Sequence, residues 1–258
     1  MNEPTGTVFL VPNTLDFGVP GALIDIAELL PLGVLRTVAR LQHWVGENAR
    51  TTRAFLKRVD AVVPLARPLQ EVAIVELPRP QKGRAAVPAD AARIARALLA
   101  PALAGHDMGL ISEAGLPALA DPGAMLVAAA HSAGIRVVAL PGASALSLAV
   151  AASGLDGQSF AFVGYLPVEG QARAARIRDL ERQSRRDLQT IVTIETPYRN
   201  QALLDALTTH LQPSTLLAVS IGLTLASEFT RSGEVAQWRA SPGVLAGDIP
   251  AVLSFLAR

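Results

Sequence analysis

Residues 110–123 read LISEAGLPALADPG, and this stretch carries the strongest fold signal in the chain. The apolar run at 108–111 predicts a buried strand. The strand ends at the segment that follows, which contains glycine and proline. Asp121 and Pro122 suit the N-cap and the first position of a helix over 123–133. The stretch therefore predicts a strand, a polar loop and a helix, the arrangement that holds small ligands in α/β proteins. It contains neither of the usual phosphate-binding motifs, GxxxxGK[ST] or GxGxxG.

Composition narrows the class of protein. The chain has 258 residues, of which 50% are hydrophobic and 17% charged, enough for one large α/β domain or two modest ones. No apolar run approaches the roughly 20 residues of a membrane span, and the first residues lack a signal-peptide pattern, so we expect a cytoplasmic protein. The absence of cysteine excludes disulfides and thiolate chemistry, and the four histidines have no metal-ligand spacing, so no metal is expected.

Strand-like and helix-like segments alternate along the whole sequence, which indicates an α/β fold. The predicted strands are 7–11, 43–45, 72–77, 108–112, 136–140, 160–165, 190–195, 216–221 and 251–255. The predicted helices are 24–41 (interrupted at 31–33), 51–57, 88–99, 122–133, 144–153, 172–184 and 200–210. A turn at Pro141 and Gly142 predicts a division into domains 1–142 and 143–258.

Four further motifs follow the central loop in order. They are LPGASA at 140–145, GYLP at 164–167, ETPYR at 195–199, and Leu-Thr, Glu-Phe and Arg-Ser-Gly between 223 and 233. With the central loop, they resemble the SDAGxPxxSDPG, LPGPSA, GFLP, ESPHR and ELTK…E…RG motifs of the tetrapyrrole-methylase superfamily, the class III S-adenosylmethionine-dependent methyltransferases. The resemblance is greatest to the branch of ribosomal RNA small subunit methyltransferase I.

The resemblance implies a fold, a cofactor and a set of binding residues. It implies an N-terminal parallel-sheet domain, a C-terminal mixed-sheet domain, a cofactor cleft between them, and a homodimer. S-adenosylmethionine needs backbone acceptors near its sulfonium, amides near its carboxylate and an apolar slot for adenine, and a helix N-terminus favours the carboxylate. The cofactor-binding residues that the resemblance implies are Pro12, Ser112, Glu113, Ala114, Gly115, Pro141, Ser144, Ala145, Glu195, Thr196, Ile249 and Pro250.

Two loops expected to face the methyl acceptor depart from the family pattern. VPNTLD at 11–16 replaces PTPIGNL-D, and GENARTT at 46–52 stands where the ribosomal enzymes carry AEDTRHT. Methyl transfer to oxygen needs a positioned acceptor and profits from a base that takes its proton. Glu47, with Arg50 nearby, is the candidate catalytic pair; the alternative is a helix-capping ion pair between them. For Glu195, the alternative to a cofactor contact is binding of neighbouring backbone amides.

Three functions remain open at this level. The resemblance favours methylation of RNA, of the 16S rRNA ribose 2′-O type, on a small ribosomal subunit. The alternatives are a methyltransferase for a tetrapyrrole or another small molecule, and a catalytically silent protein that binds S-adenosylmethionine. The arginines of the predicted helix at 172–184 and its flanks, among them Arg173, Arg182 and Arg186, fit either a solvated helix face or a surface for RNA phosphates.

Overall fold

A computed structural model describes residues 5–16, 19, 21, 24–78 and 88–258, with backbone alone for 88–92. The chain divides into two compact units, and the boundary lies between Ala143 and Ser144. The first unit carries a parallel sheet and the second a mixed sheet, which confirms the predicted fold class. The boundary at 142–143 as a division between functional domains stays a prediction.

The first unit follows a strand-and-helix alternation. Its elements are β1 (Thr7–Val11), α1 (Ile26–Leu29), α2 (Leu32–Arg40), β2 (His43–Gly46), α3 (Ala49–Asp60), β3 (Ala73–Glu76), α4 (Pro88–Leu98), α5 (Ala100–Leu103), β4 (Met108–Ile111), α6 (Ala124–Ser132) and β5 (Arg136–Ala139). The strand order is β3-β2-β4-β1-β5, and neighbouring strands are parallel. The chain leaves β1 and β4 toward opposite ends of the sheet, so the topological switch point lies between these two neighbours. Small ligands bind at the carboxyl ends of strands at such a point.

Alternate residues of these strands enter two separate cores. Phe9 and Val11 pack with the apolar faces of α2 and α3, whereas Val8 packs with α5 and α6 on the other side of the sheet. The same alternation holds in β4, where Ile111 joins the first cluster and Leu110 the second. Helices therefore cover both faces of the sheet, and the strand ends are left as the place where polar side chains can gather.

The helix after the central loop begins later than predicted. Its N-cap is Gly123, with φ +127°, and α6 starts at Ala124, so the prediction that Asp121 caps this helix is wrong. The cause lies in the loop, where Ala118 (φ +64°) and Ala120 (φ +63°) adopt left-handed conformations that alanine seldom takes. The chain therefore turns once more before the helix begins.

The second unit is built on a sheet of five strands. Its elements are α7 (Ala145–Ser153), β6 (Phe160–Phe162), α8 (Gly170–Asp187), β7 (Thr190–Ile194), α9 (Asn200–His210), β8 (Leu216–Ile221), β9 (Phe229–Glu234), α10 (Val235–Ala240) and β10 (Ala251–Leu256). The order is β6-β7-β10-β8-β9, with β6 parallel to β7 and the other neighbours antiparallel. Because β10 runs against β7 and β8, the residues before β10 lie at the same sheet edge as those after β7 and β8.

Two strands of this unit differ from the sequence prediction. The strand predicted over 160–165 ends at Phe162, and Gly164 then takes a left-handed φ of +68°. The strand Phe229–Glu234 was not predicted, because FTRSGE at the edge of the sheet lacks the apolar alternation of a half-buried strand. No helix within the described ranges has the length and apolar character to cross a bilayer.

Candidate functional site

The loops after β1 and β4 are joined at the switch point. The amide of Asn13 donates to the carbonyl of Gly115 at 2.8 Å, and the two residues form an isolated bridge. The Asn13 side-chain amide also donates to the carbonyls of Ser112 and Glu113, each at 3.0 Å. Gly115 has φ +67°, a conformation that glycine adopts without strain. The backbone of the predicted Ser112–Gly115 segment is therefore held by Asn13, a residue that the sequence interpretation did not select.

The loop after β2 is tied to the same place. Asn48 is the N-cap of α3, and its Oδ1 accepts from the Arg50 amide at 2.9 Å, so the alternative of a cap made by Glu47 and Arg50 is wrong. The Glu47 carboxylate instead accepts from the backbone amide of Glu113 at 3.1 Å. Thr51 donates its hydroxyl to Glu113 Oε1 at 2.6 Å. The structure thus brings together Glu47 and Glu113, which lie 66 residues apart in sequence.

Asp121 completes a group of three carboxyl groups. Burial raises its pKa to about 6, and the charge of Glu47 adds to this rise, while a hydrogen bond with Ser112 opposes it. Burial likewise raises the pKa of Glu47, and the hydrogen bond from the Glu113 amide opposes that rise. Carboxyl groups with raised pKa values are suited to accept or hold a proton near neutral pH.

A cavity of about 500 Å³ opens between these loops and α3. Its volume falls within the range of about 300–1,000 Å³ typical of small-ligand sites. The lining residues are Asn13, Thr14, Asp16, Asn48, Arg50, Thr51, Ala54, Phe55, Arg58 and Glu113. Both loops expected to face the acceptor contribute to it. Arg50 and Glu113 line the cavity, whereas Glu47 is not among the lining residues.

An ion pair fixes one wall of the cavity. Arg58 Nη2 lies 3.1 Å from Asp16 Oδ2 and donates to the carbonyl of Ile24 at 2.8 Å. The hydroxyl of Thr14 donates to Asp16 and accepts from Arg58 Nη1 at 3.0 Å. Asp16 is only 7% exposed, and its hydrogen bonds offset the cost of burying its charge. The segment after β1 is therefore bound to α3 through charged groups.

Pro12 lies beside the other predicted loop of this unit. A Cβ atom built on Gly142 would lie 2.3 Å from the Pro12 Cβ, closer than two non-bonded carbon atoms can approach. The packing of Pro12 therefore requires a glycine after Pro141, and the absence of a side chain at 142 has a structural cause. Pro12 is buried and Pro141 is exposed.

Predicted binding residues at the start of the second unit occupy a helix N-terminus. Ser144 is the N-cap of α7 and is 8% exposed, yet its side chain makes no capping hydrogen bond. Ala145 is the first residue of the helix. The first amides of α7 thus have no side-chain cap, and with the Ser144 hydroxyl they fit the carboxylate of an amino-acid group.

The other predicted residues of this unit lie at one sheet edge. Glu195 Oε1 accepts from the Thr196 amide at 2.7 Å and forms an ion pair with Arg199 at 2.8 Å. The amide interaction considered as the alternative for Glu195 is therefore present.

Next to it in the sheet, the segment before β10 is held by its carbonyls. The Ile249 carbonyl accepts from the Asn200 side chain at 3.1 Å, and the Pro250 carbonyl accepts from the Gly222 amide at 2.9 Å. These bonds fix the backbone and leave the exposed Pro250 ring as an apolar surface.

Most arginines of α8 interact within the chain. Arg173 donates to the carbonyls of Pro167 and Val168, and Arg185 donates to the carbonyl of Arg258. Arg182 and Arg186 form ion pairs with aspartates of the same helix. These contacts favour the interpretation of a solvated helix face. His43 and His106 approach within 5.2 Å between ring centroids, but no group of three potential ligands for a metal ion occurs in the described part of the chain.

Comparison with known families agrees with this architecture. The profile of the family "Tetrapyrrole (Corrin/Porphyrin) Methylases" matches residues 21–238, more than four-fifths of the chain. The chain belongs to this family. In this tetrapyrrole methylase, the matched region extends across both units. It includes the central loop and the predicted motifs up to residue 233.

Curated relatives of this tetrapyrrole methylase share one name. "Ribosomal RNA small subunit methyltransferase I" of Synechocystis is 39% identical over 137 residues, which are 53% of this chain and 46% of the relative. The protein of the same name from Xylella fastidiosa is 35% identical over 143 residues, 55% of this chain and 51% of the relative. The matched part of the chain thus spans about half the length of these relatives.

A solved structure shows the same fold. Uroporphyrin-III C-methyl transferase from Thermus thermophilus, complexed with S-adenyl homocysteine, superposes with a TM-score of 0.51 at 18% identity. The alignment covers 97% of each chain. At this identity the similarity concerns the fold alone.

Proposed function

We propose that this tetrapyrrole methylase is an S-adenosylmethionine-dependent methyltransferase that methylates RNA, of the 16S rRNA ribose 2′-O type. The observation that carries the proposal is the joining of the loops after β1, β2 and β4 around one cavity at the switch point. The printed name of the relatives supports an RNA acceptor. The solved neighbour with S-adenyl homocysteine supports the cofactor.

We propose that the predicted binding residues hold this cofactor. When bound, S-adenosylmethionine supplies an electrophilic methyl group on a sulfonium. The uncapped amides of α7 and the hydroxyl of Ser144 fit its carboxylate. The fixed backbone at Ile249 and the exposed ring of Pro250 fit the apolar adenine. In the first unit, the loop that Asn13 holds offers backbone carbonyls, which suit a cation.

The acceptor is proposed to enter the cavity beside α3. Glu113 lines the cavity, and the carboxylate of Glu47 holds the backbone amide of Glu113 by a hydrogen bond. In the proposed roles, Glu47 is the proton acceptor or the group that orients it, and Arg50 holds the acceptor in place. A carboxylate that takes the proton of a ribose hydroxyl raises its nucleophilicity, an effect commonly worth about 10²–10⁴ in rate.

The first test is a calorimetric titration of the purified protein with S-adenosylmethionine and S-adenosylhomocysteine. We expect micromolar binding of both; if neither binds, the proposal is wrong. The second test is transfer of a labelled methyl group to small ribosomal subunits, to free RNA and to tetrapyrroles. Label in the ribose of the RNA supports the proposal. Label only in a tetrapyrrole shows that the acceptor is a tetrapyrrole and not RNA. Cofactor binding with no labelled acceptor indicates a silent binding protein.

The resemblance also implies an oligomeric state for the whole molecule. We propose that the protein forms a homodimer and acts in the cytoplasm. Light scattering after size-exclusion chromatography measures the mass directly, and a mass equal to one chain of 27.0 kDa contradicts the dimer.

A further inference from the structure

One face of α3 forms a continuous wall of the cavity. The residues of this helix that line it are Arg50, Thr51, Ala54, Phe55 and Arg58. Their spacing of i, i+1, i+4, i+5 and i+8 places them on one side of a helix. At 1.5 Å of rise per residue, the two arginines lie about 12 Å apart along the axis. The wall therefore carries a cation at each end.

The two cations differ in how they are neutralised. Arg58 is paired with the buried carboxylate of Asp16. Within the described residues, no carboxylate forms an ion pair with Arg50, whose side chain is exposed at the other end of the wall. Glu113, the remaining acidic residue of the lining, accepts the hydroxyl of Thr51. The positive charge that is free to attract an anionic ligand is therefore that of Arg50.

The surface between the two arginines is mixed in polarity. Ala54 and Phe55 supply apolar atoms, and Asn48 and Thr51 supply polar groups. A nucleotide in a single-stranded RNA has the same division, with an apolar base face, a polar ribose hydroxyl and a charged phosphodiester.

We infer that Arg50 binds a phosphodiester of a single-stranded RNA and thereby seats the adjoining nucleotide along α3 in the cavity. The inference rests on the proposed RNA methyltransferase function and assigns to Arg50 the role of a substrate-binding residue. Arg58, by contrast, is a positioning residue, since its charge is used to hold the segment after β1. The bound nucleotide is selected by its backbone charge and by the size of the cavity.

The test is the salt dependence of RNA binding. A short, fluorescently labelled single-stranded oligoribonucleotide is titrated with the protein in saturating S-adenosylhomocysteine, between about 50 and 200 mM salt, and followed by anisotropy. Removal of one phosphate contact lowers the slope of log Kd against log salt by about 0.7. We expect Arg50→Ala to show this loss of slope and about tenfold weaker binding, and Arg50→Lys to keep the slope.

Arg53→Ala is the matched control. Arg53 lies on the same helix, is exposed and does not line the cavity. Among the described residues, its guanidinium donates only to the carbonyl of Ala49, at 3.4 Å. Its removal should leave affinity and slope near those of the wild type. Circular dichroism establishes that each variant is folded.

The outcomes separate this inference from the proposed function. Equal slopes for the wild type and Arg50→Ala overturn the role of Arg50, as does equal loss in Arg50→Ala and Arg53→Ala. Calorimetric binding of S-adenosylhomocysteine without RNA binding overturns the inference and leaves the cofactor proposal standing. Loss of both ligands overturns the proposed function itself.

Discussion

Asp121→Asn tests whether burial and the neighbouring carboxyl groups destabilise the charged form of Asp121 in the folded chain. The structure raises the pKa of Asp121 from 3.8 to about 6, through burial first and then through the charge of Glu47. The folded chain therefore binds this proton more tightly than the unfolded chain does. The contribution to stability is fully present below about pH 4 and is lost as the pH rises through about 6.

The magnitude follows from the size of that change. A rise of about two pH units corresponds to about 3 kcal/mol. Because the carboxyl is only partly buried, solvent screening lowers this figure to about 1.5 kcal/mol. Asparagine has no charge to desolvate, and its amide oxygen can still accept from Ser112. We therefore expect Asp121→Asn to be more stable than the wild type by about 1.5 kcal/mol at pH 7 and to show no difference near pH 4.

Thermal unfolding followed by circular dichroism measures this difference between about pH 4 and pH 7.5. For a chain of this size, the gain at pH 7 amounts to about 3–6 °C in Tm. The control is Asp248→Asn, an exposed carboxylate whose removal should change the Tm little at any pH. If the gap between Asp121→Asn and the wild type were constant with pH, or grew toward acid, the account of the carboxyl group would be wrong.

Three further predictions concern packing and function. Gly142→Ala should lower stability by about 1–3 kcal/mol, because the new Cβ meets Pro12 at 2.3 Å, while Gly247→Ala, with open space around it, should not; thermal melts compare them. Glu47→Gln should slow methyl transfer by about 10²-fold or more without changing the calorimetric affinity for S-adenosylmethionine, and unchanged turnover would reduce Glu47 to a structural role. Ala145→Leu should weaken cofactor binding at least about tenfold while the protein stays folded, and an unaltered affinity would remove the start of α7 from the proposed cofactor site.

Regular periodicity made most of the fold predictable. The apolar strands β1, β4 and β8 and the helices α7 and α9 appear within a residue or two of the predicted ranges. The errors occur where local propensity is overruled. Ala118 and Ala120 take left-handed conformations that no sequence rule assigns to alanine, and Asp121 was therefore placed at a helix cap. The sequence pattern does not predict the edge strand β9, because this strand is polar and an edge strand needs no apolar alternation.

The candidate site was predictable only in part. Glu47, Arg50 and the Ser112–Gly115 segment were selected because a family pattern marks their positions. The groups that organise them, Asn13 and the pair of Asp16 with Arg58, act across 42 to 102 residues of sequence. Such contacts depend on strand order, which a single sequence does not display. The one available signal was the departure of VPNTLD from the family pattern, since Asn13 and Asp16 both fall inside it.

The bridge between Asn13 and Gly115 has a thermodynamic consequence. Three carbonyls of the loop after β4 already accept hydrogen bonds from Asn13, and α3 forms another wall of the cavity. An incoming ligand therefore loses its own freedom on binding but does not have to bring the segments around Asn13 and Gly115 together. Differences in affinity between acceptors should then arise from contacts with the cavity walls. A site of this kind discriminates between acceptors by how well their shape and charge match the cavity walls.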